Sequence, residues 1–394
     1  MSEPTLCKAV LVYDGRDAPP FVPPEMGQPK DGQLDGTPRE RTAELAGRVC
    51  YDSLGSGRDS AGFHAHIHEV KHYSVYEHTP FTFIIRGLRP GDLGEVLLLL
   101  ANRPGVYVWL ETAGLRVTCN FRAAIEWDQW SVPLEAVKPA FRDLLRQMVR
   151  HFGHQLAPRI VPANEEGPSA WDPSKRPGES IRPASGFSVV YALPVDPTLP
   201  EEQWVTLFLS GSRGFSHEQV RHGDFTAISQ RSTRYVDESK SPWVRHPLIE
   251  AYCREQKTVF EFFEAVDTEE GPAYSAPILA RRLYDAAVEK LQAWLIARGV
   301  DKFTARKQAR GAARGYLGNA LLTEMLFSAS VAQWHRMIAQ RASVHADAEI
   351  RQVYADPEHG VIAALKQSRY GDQFACYDLV PSPDGLGHVA VKRA

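Results

Sequence analysis

One short segment, SHEQVRHGDFTAISQRSTRYVDES at 216–239, concentrates side chains that can do chemistry. Its candidate ligands are Glu218, Arg221, His222, Gln230, Ser232 and Arg234. An arginine fork binds a carboxylate or phosphate through two parallel hydrogen bonds, and Ser and Gln side chains help to orient such an anion. The segment therefore predicts an anion site suited to a nucleotide, with a solvated surface loop as the plain alternative.

A second segment, FTARKQARGAARGYLGNA, repeats an arginine every four residues at Arg306, Arg310 and Arg314. This spacing predicts one basic helical face. Arg314 lies nearest the turn-like GYLGNA and is the better phosphate ligand. We expect Arg306 and Arg310 to face solvent.

A third segment, QRASVHADAEIR, spaces Arg341, His345 and Glu349 four residues apart. On a continuous helix these side chains would form an ion ladder with no chemical role. A catalytic arginine would instead point into a cleft and stabilise negative charge as it develops.

Histidines cluster near the N-terminus, and three of them, His64, His68 and His72, have helical spacing. Carboxylate and cysteine patterns typical of metal sites do not accompany them, so no metal site is predicted. His72 and Ser74, shortly before Glu77, indicate a turn that lines a site.

Several protein classes are disfavoured. The sequence has no GxxxxGK[ST] and no GxGxxG between a strand and a helix, which argues against P-loop ATPases and Rossmann dehydrogenases. GxSxG is absent too, and the five cysteines lack a nucleophile or zinc signature. A net charge of −3 over 394 residues argues against a nucleic-acid-coating protein. Without a signal pattern or a long apolar run, we expect a cytoplasmic protein without a membrane partner.

The elements that must position these groups follow a repeated plan. PFTFIIRGLRPGDLGEVLL and WVTLFLSGSRGFSHEQVRH each combine an aromatic-rich strand, a Gly, an Arg and a helix. NFRAAIEW and SVAQWHRMIAQR form a fainter pair. An internal duplication would produce this pattern, as would chance similarity of short amphipathic pieces. Long helices are expected over 277–298, 303–316 and 332–354.

The predicted fold class is α/β (α+β), built from two tandem related units, each a small mixed sheet packed with long helices. Six prolines between Pro158 and Pro183 predict an extended linker or a surface loop, because proline fixes φ and removes a donor. The predicted division is an abridged N-terminal unit at 1–157, a Pro-rich linker at 158–185, and a C-terminal unit at 186–394 that carries the richest segment.

Together, four ordered blocks resemble the flavin-dependent thymidylate synthases. They are AGRVCYDSL with HYSVYEHTPFTFIIRG, SGSRGFSHEQVRHGDFTAISQRSTRYV, ARKQARGAARGYLGNA, and QRASVHADAEIR. The resemblance implies a homotetramer with FAD across its subunit interfaces. It also implies reductive methylation of dUMP at C5, with methylenetetrahydrofolate supplying the carbon and NADPH reducing the flavin.

The resemblance also implies roles for individual residues. Those for FAD are His72, Ser74, Glu77, Asn120, Arg122, Arg221, His222, Gln230 and Arg336. Those for dUMP are Glu218, Arg221, Gln230, Ser232, Thr233, Arg234, Arg314 and Arg341. Arg341 would be the catalytic residue, placed against the uracil ring to favour its ionised form. No metal is implied.

The second of the four blocks, SGSRGFSHEQVRHGDFTAISQRSTRYV at 210–236, is called the signature segment below. It departs from the family pattern at two places. Gly223 replaces the last residue of the usual Arg-His-Arg triplet. Ala227 and Ile228 occupy a space where the family usually has one residue. A flavin or folate contact would be lost or rerouted by these changes.

The family's Asn-x-Arg flavin contact is also displaced. Ser330 and Ala332 stand at its expected positions before Arg341, whereas Asn120 and Arg122 provide the pattern in the first half. These complementary losses favour a fused pair of units that share their sites. A homodimer would then act as a pseudo-tetramer with two composite sites.

Two alternatives stay open. One is a diverged flavin-dependent enzyme that modifies C5 of another uridine nucleotide. The other is a catalytically silent subunit that binds a nucleotide or flavin. Retention of Arg314, Arg341, Ser232 and Arg234 argues against the silent subunit. In each case the partners are small molecules and not nucleic acid.

Overall fold

The structure, a computed structural model, describes residues 7–15, 18–86, 105–111, 114–126, 198–223, 226–256 and 275–393, with short pieces at 93–94, 97, 100, 180–181, 188–191, 267–268 and 271–272. The sequence also predicts helices over 91–103 and 134–152; most of the first, all of the second and most of the Pro-rich stretch lie outside the described residues.

The described strands are β1 (Lys8–Tyr13), β2 (Pro80–Arg86), β3 (Val106–Glu111), β4 (Gly114–Asn120), β5 (Ser180–Ile181), β6 (Ser188–Tyr191), β7 (Trp204–Ser212), β8 (Thr226–Gln230), β9 (Asp267–Thr268), β10 (Gly271–Pro272), β11 (Leu322–Ser330), β12 (Tyr377–Pro381) and β13 (His388–Lys392). The described helices are α1 (Pro38–Tyr51), α2 (Ser60–Glu69), α3 (Phe121–Glu126), α4 (Arg213–Gln219), α5 (Pro247–Gln256), α6 (Ala276–Ala297), α7 (Lys302–Ala313), α8 (Val331–Arg341), α9 (Ala348–Ala355), α10 (Val361–Lys366) and α11 (Gly371–Phe374). Short 3₁₀ helices occupy Pro24–Met26, Tyr73–His78, Glu238–Lys240 and Arg314–Tyr316.

Two larger sheets form the framework. The first has the strand order β1-β7-β11-β8 and the second has the order β3-β4-β2-β6-β5. All of their described strand pairs are antiparallel, so the prediction of mixed sheets was wrong in that respect. The cause is that each strand enters its sheet from the end opposite to its neighbour, which produces antiparallel ladders.

The inner strand pairs of the two sheets, β2 with β4 and β7 with β11, are aligned in the same way. In the second sheet Pro80 lies opposite Asn120, and in the first Trp204 lies opposite Ser330. Asn120 and Ser330 each end a strand and begin a helix, and each side chain accepts a hydrogen bond from the backbone N–H three residues later. These side chains satisfy N–H groups that the helix itself leaves unpaired.

In each larger sheet, one strand beside the inner pair comes from the other predicted unit of the chain. β1, from the N-terminus, pairs with β7 of the first sheet, whereas β6, which directly precedes β7 in the chain, pairs with β2 of the second sheet. β6 thus occupies in one sheet the place that β1 occupies in the other. The predicted division at 158–185 therefore does not separate the two sheets, and β5 lies within that range.

Alternating side chains of the first sheet form two cores, as the period of a strand requires. Leu207 and Leu209 face the larger core with Trp334 of α8, and α9 and α10 complete this layer. Phe208 faces the opposite side and packs with Leu45 of α1. Helices thus cover both faces of this sheet.

His78 ties the end of the second 3₁₀ helix to the first sheet. Its ring is fully buried, with Nδ1 2.7 Å from Ser328 Oγ and Nε2 3.0 Å from Ser229 Oγ. Burial lowers the pKa of His78 to about 3, so the ring is neutral at ordinary pH.

The helix predicted over 332–354 is interrupted. α8 ends at Arg341, and α9 begins after Asp347, whose side chain accepts from the N–H of Glu349. The prediction that Arg341, His345 and Glu349 lie on one helical face was therefore wrong. An aspartate N-cap satisfies the free N–H groups of a new helix and so favours a second start here. Across the described residues, no helix is both long and apolar enough to span a bilayer.

Candidate functional site

Arg341, at the C-terminal end of α8, is held by the richest segment of the sequence. Its Nε donates to Nε2 of His222 at 2.8 Å, and its two terminal nitrogens donate to the carboxylate and to the backbone carbonyl of Glu218. Arg221 extends into solvent, 3.9 Å from the Glu218 carboxylate. Groups more than a hundred residues apart in the chain thus meet in one cluster, the Arg341 cluster.

The protonation of His222 fits this arrangement. Burial lowers the pKa of His222, and the neighbouring guanidiniums of Arg341 and Arg221 lower it further, against the opposing effect of Glu218. A neutral imidazole can accept the hydrogen bond that Arg341 donates, whereas an imidazolium cannot. The arginine is therefore fixed in position while it keeps its positive charge.

A second cluster surrounds His72. The Tyr51 hydroxyl lies 2.8 Å from His72 Nδ1, and the Tyr51 ring packs edge-on against Tyr235 with centroids 4.9 Å apart. Burial lowers the pKa of His72, and Arg234 and Arg122 act in the same direction. This aromatic group brings a residue of the N-terminal block close to the end of the signature segment.

Glu77 and Arg122 lie beside that cluster. Arg122 Nη1 donates to Glu77 at 2.5 Å, and Arg122 Nε donates to Glu126 at 2.7 Å on α3. Burial raises the pKa of Glu77, and Arg122 opposes this rise. The Arg122 guanidinium keeps part of its surface exposed and can reach a further anion.

Asn120 is fixed by a close approach to Gly105. Its side-chain oxygen caps α3 by accepting from Ala123 N at 2.9 Å, while its backbone N–H donates to the carbonyl of Gly105. A Cβ added at Gly105 would lie 2.2 Å from Asn120 Nδ2, and Gly105 has φ +73°. Only glycine fits this position, and it holds Asn120 at the start of the helix that carries Arg122.

We expect Gly105→Ala to destabilise the protein and to loosen this cap. The left-handed backbone costs about 1–2 kcal/mol for a residue with a Cβ, and overpacking adds about 1–3 kcal/mol. Gly57→Ala is the matched control, because Gly57 has φ +71° but open space around its Cβ position. Urea unfolding of both variants measures the difference, and equal losses would contradict the packing argument.

The remaining residues of the signature segment have defined places. Gln230 Nε2 donates to Ser216 Oγ at 2.9 Å and to Thr323 Oγ1 at 3.0 Å. The backbone N–H of Ser232 donates to the carbonyl of Cys50, which attaches the segment to α1. Thr233 is buried. The β8–β11 ladder has a constant register, so the extra residue noted at Ala227 and Ile228 is not a bulge within β8.

Three of the predicted site residues are fixed mainly by their place in a helix. Arg314 follows the last turn of α7 and begins the 3₁₀ helix. Ser74 lies in the 3₁₀ helix between His72 and Glu77. Arg336 is exposed on α8 and donates to Gln333 at 3.4 Å.

The predicted residues thus divide into two groups within one chain. Arg341, Glu218, Arg221 and His222 form the Arg341 cluster. His72 lies close to Arg234 and to Arg122, which binds Glu77. In the part of the chain that the structure describes, no hydrogen bond or ion pair joins the two groups. The sequence reasoning missed Tyr51 as a site residue, although its aromatic type within the block AGRVCYDSL was a usable signal.

A cavity of about 300 Å³ opens beside Glu218. Its wall includes His246 and Asp347, whose side chains lie 3.1 Å apart. The hydrogen bond to Asp347 raises the pKa of His246. Among the described residues no group of three or more His, Cys, Asp or Glu side chains could hold a metal ion.

This fold and these clusters define a mixed helix-and-sheet protein with arginine-rich sites built from distant parts of the chain. Residues 199–356 match the family model described as thymidylate synthase complementing protein. A flavin-dependent thymidylate synthase of Mycolicibacterium gilvum is 32% identical over 186 residues, and that of Mycolicibacterium vanbaalenii is 34% identical over 187. The region at 199–356 belongs to the flavin-dependent thymidylate synthase family.

The extent of these matches is limited. The match to each of these two Mycolicibacterium proteins covers 47% of this chain and 66% of the relative. Thymidylate Synthase X from Helicobacter pylori, solved with FAD and dUMP, is 19% identical and covers 44% of this chain and 72% of that one. Its TM-score of 0.24 is too low to support a structural argument.

Proposed function

We propose that the protein is an FAD-dependent enzyme that methylates dUMP at C5 to form dTMP, with methylenetetrahydrofolate as the carbon donor and NADPH as the reductant. The observation that carries the proposal is the contact of Arg341 with Glu218 and His222. This contact joins the candidate catalytic arginine to the signature segment across a large separation in the chain. Family membership and the names of the curated relatives agree with it.

The residues around His72 suit FAD. The rings of His72, Tyr51 and Tyr235 offer aromatic surface for a flavin or adenine ring, and Arg122 offers a guanidinium for a phosphate. His72, Ser74, Glu77, Asn120 and Arg122 would hold the cofactor from this side, and Arg221, His222, Gln230 and Arg336 from the signature half. The bound flavin would supply hydride transfer.

Arg341 would act on the pyrimidine. Uracil C5 is a poor nucleophile, and a fixed guanidinium that stabilises negative charge on the ring makes it a better one. Glu218 and His222 orient Arg341, and a cysteine nucleophile is not required. Glu218, Arg221, Gln230, Ser232, Thr233, Arg234 and Arg314 would bind the rest of dUMP.

We further propose that two units of an ancient duplication share these sites and that a homodimer completes them. The equal order of the inner strands and the equal capping positions Asn120 and Ser330 support the duplication. The separation of the two residue groups within one chain supports a second copy. A stable tetramer, or a monomer with full flavin occupancy, would contradict this. The cytoplasmic location stays a prediction.

The second candidate is C5 modification of another uridine nucleotide, which Gly223 and the extra signature residue favour. The catalytically silent subunit remains the other alternative.

Purified protein is expected to be yellow with bound flavin and to release tritium from C5-labelled dUMP faster than from labelled UMP. Absorbance at flavin wavelengths distinguishes a flavoprotein from a silent nucleotide binder. A colourless protein that does not take up added FAD would contradict the proposal. Faster release from UMP would favour the second candidate.

A further inference from the structure

A buried polar contact adjoins the Arg341 cluster at a place where three helices meet. The Tyr354 hydroxyl on α9 donates to Gln219 Oε1 at 2.9 Å, and Gln219 is the last residue of α4. Met337 of α8 lies beside both, with its Sδ 3.6 Å from Gln219 Nε2 and 3.6 Å from the Tyr354 hydroxyl. All three side chains are fully buried. The resemblance implies no role for any of them.

The backbone of α4 connects this contact to the groups that hold Arg341. Arg341 donates to the backbone carbonyl of Glu218 at 3.1 Å, and that carbonyl belongs to the peptide bond that joins Glu218 to Gln219. The backbone N–H of His222 donates to the carbonyl of Gln219 at 3.2 Å. Both residues that bind Arg341 are therefore attached to Gln219, one by a peptide bond and the other by a hydrogen bond.

The helix α8 connects the contact to Arg341 from the other side. Met337 precedes Arg341 by four residues on this helix, so the two side chains project from the same face. Burial raises the pKa of the Tyr354 hydroxyl, and the bond to Gln219 and the nearby charge of Arg341 oppose this rise. The hydroxyl stays protonated at ordinary pH and therefore remains a hydrogen-bond donor.

A hydrogen bond between buried side chains fixes the relative position of the elements that carry them. Tyr354 lies within the larger apolar core, so a broken bond would leave the Gln219 amide oxygen without water to replace the hydroxyl. We propose that Tyr354 is a positioning residue: through Gln219 it fixes the last turn of α4, and that turn orients Arg341. The proposal rests on the proposed function for its effect on turnover, but not for its effect on the geometry of the cluster.

The test compares Tyr354→Phe with Tyr377→Phe in the full-length, FAD-loaded protein. Each change removes one hydroxyl from a buried tyrosine. The Tyr377 hydroxyl lies 2.9 Å from His335 Nδ1 on the same α8, and it forms no hydrogen bond with the described residues of α4. Tyr354→Phe is expected to lower kcat for tritium release from dUMP about tenfold, because a displaced catalytic group loses transition-state contacts. Tyr377→Phe should change kcat less than about twofold.

A second comparison separates positioning from a general structural role. In an Arg341→Ala background, Tyr354→Phe should lower kcat by less than a further factor of about two. The reason is that a residue that acts through Arg341 has no effect once Arg341 is absent. A general structural defect would instead multiply with the loss caused by Arg341→Ala.

The ring signals of isotope-labelled histidine give a readout that needs no turnover. Burial lowers the pKa of His222, and the guanidinium of Arg341 lowers it further. In Tyr354→Phe, a displaced Arg341 should let this pKa rise toward the ordinary value of histidine, whereas Tyr377→Phe should leave it unchanged. Nuclear magnetic resonance titration measures this pKa, and the signal is assigned by its loss in His222→Gln.

Three results would overturn the inference. The first is an unchanged kcat or an unchanged pKa of His222 in folded Tyr354→Phe. The second is an undiminished further loss in the Arg341→Ala background, and the third is an equal loss in Tyr377→Phe. If Tyr354→Phe does not fold, Tyr354→Phe with Gln219→Met removes both polar groups and faces the same expectations. Wild-type protein that releases no tritium would contradict the proposed reaction, and the pKa of His222 would then decide the inference alone.

Discussion

Replacement of Arg341 by alanine is expected to lower kcat for the proposed thymidylate formation by about a hundred- to a thousand-fold. A guanidinium that is already fixed where negative charge develops on the uracil ring stabilises that charge without reorganisation. Alanine has no such donor, and only water would take its place. Flavin binding should largely persist, because the residues around His72 form no contact with Arg341 in the described chain, and His222 is the one proposed FAD ligand that Arg341 contacts there. Tritium release and flavin absorbance, measured on the same sample, separate the two effects.

An exposed arginine outside the candidate site provides the control for loss of charge. Arg298→Ala removes an exposed guanidinium at the end of α6 and should leave kcat unchanged. Glu218→Gln keeps the shape of the partner and should reduce kcat less than Arg341→Ala does, since His222 still holds the guanidinium. Normal turnover in Arg341→Ala would remove the catalytic assignment.

Replacement of His78 by alanine is expected to destabilise the protein by about 3–5 kcal/mol. The change opens a cavity and leaves Ser229 without its imidazole partner, whereas Ser328 keeps its 2.6 Å contact with Thr206. Urea unfolding at neutral pH measures the loss. His359→Ala, on an exposed histidine, should cost little.

The same histidine predicts acid sensitivity. The pKa of His78 is lowered to about 3 in the folded protein, against about 6.5 for an unfolded chain. The unfolded state therefore binds more protons, so stability is fully present above about pH 6.5 and falls as the pH approaches 3. The slope from this group is about 1.4 kcal/mol per pH unit. His78→Ala should show a shallower acid limb; an identical slope in both proteins would contradict the assignment.

Local patterns in the sequence predicted two of the long helices closely. α6 and α7 lie within a few residues of the predicted ranges 277–298 and 303–316, because apolar spacing and caps are properties of neighbouring residues. α1 shows this directly, with Thr37 and Glu40 forming a reciprocal capping box. The break between α8 and α9 was missed, since Ala342–Asp347 contains neither proline nor glycine and only the Asp347 cap indicates a new start.

Contacts between distant segments could not be predicted in this way. The pairing of β1 with β7 and the bonds of His78 to Ser229 and Ser328 depend on how whole sheets assemble. For the candidate site, residue types and resemblance selected segments of which some meet in the structure, as Arg341 does with Glu218 and His222. They did not show that Arg341 would pair with Glu218 and His222.

β1 pairs with β7 of the first sheet, while β6 pairs with β2 of the second. This arrangement has a consequence for synthesis on the ribosome. β1 emerges first, but its partner β7 begins at Trp204, nearly two hundred residues later. At about 5–20 residues per second, this strand waits on the order of ten to forty seconds with its edges unpaired. The first sheet can form only after the second half has been made, so the nascent chain is most vulnerable to aggregation during that interval and most dependent on chaperones.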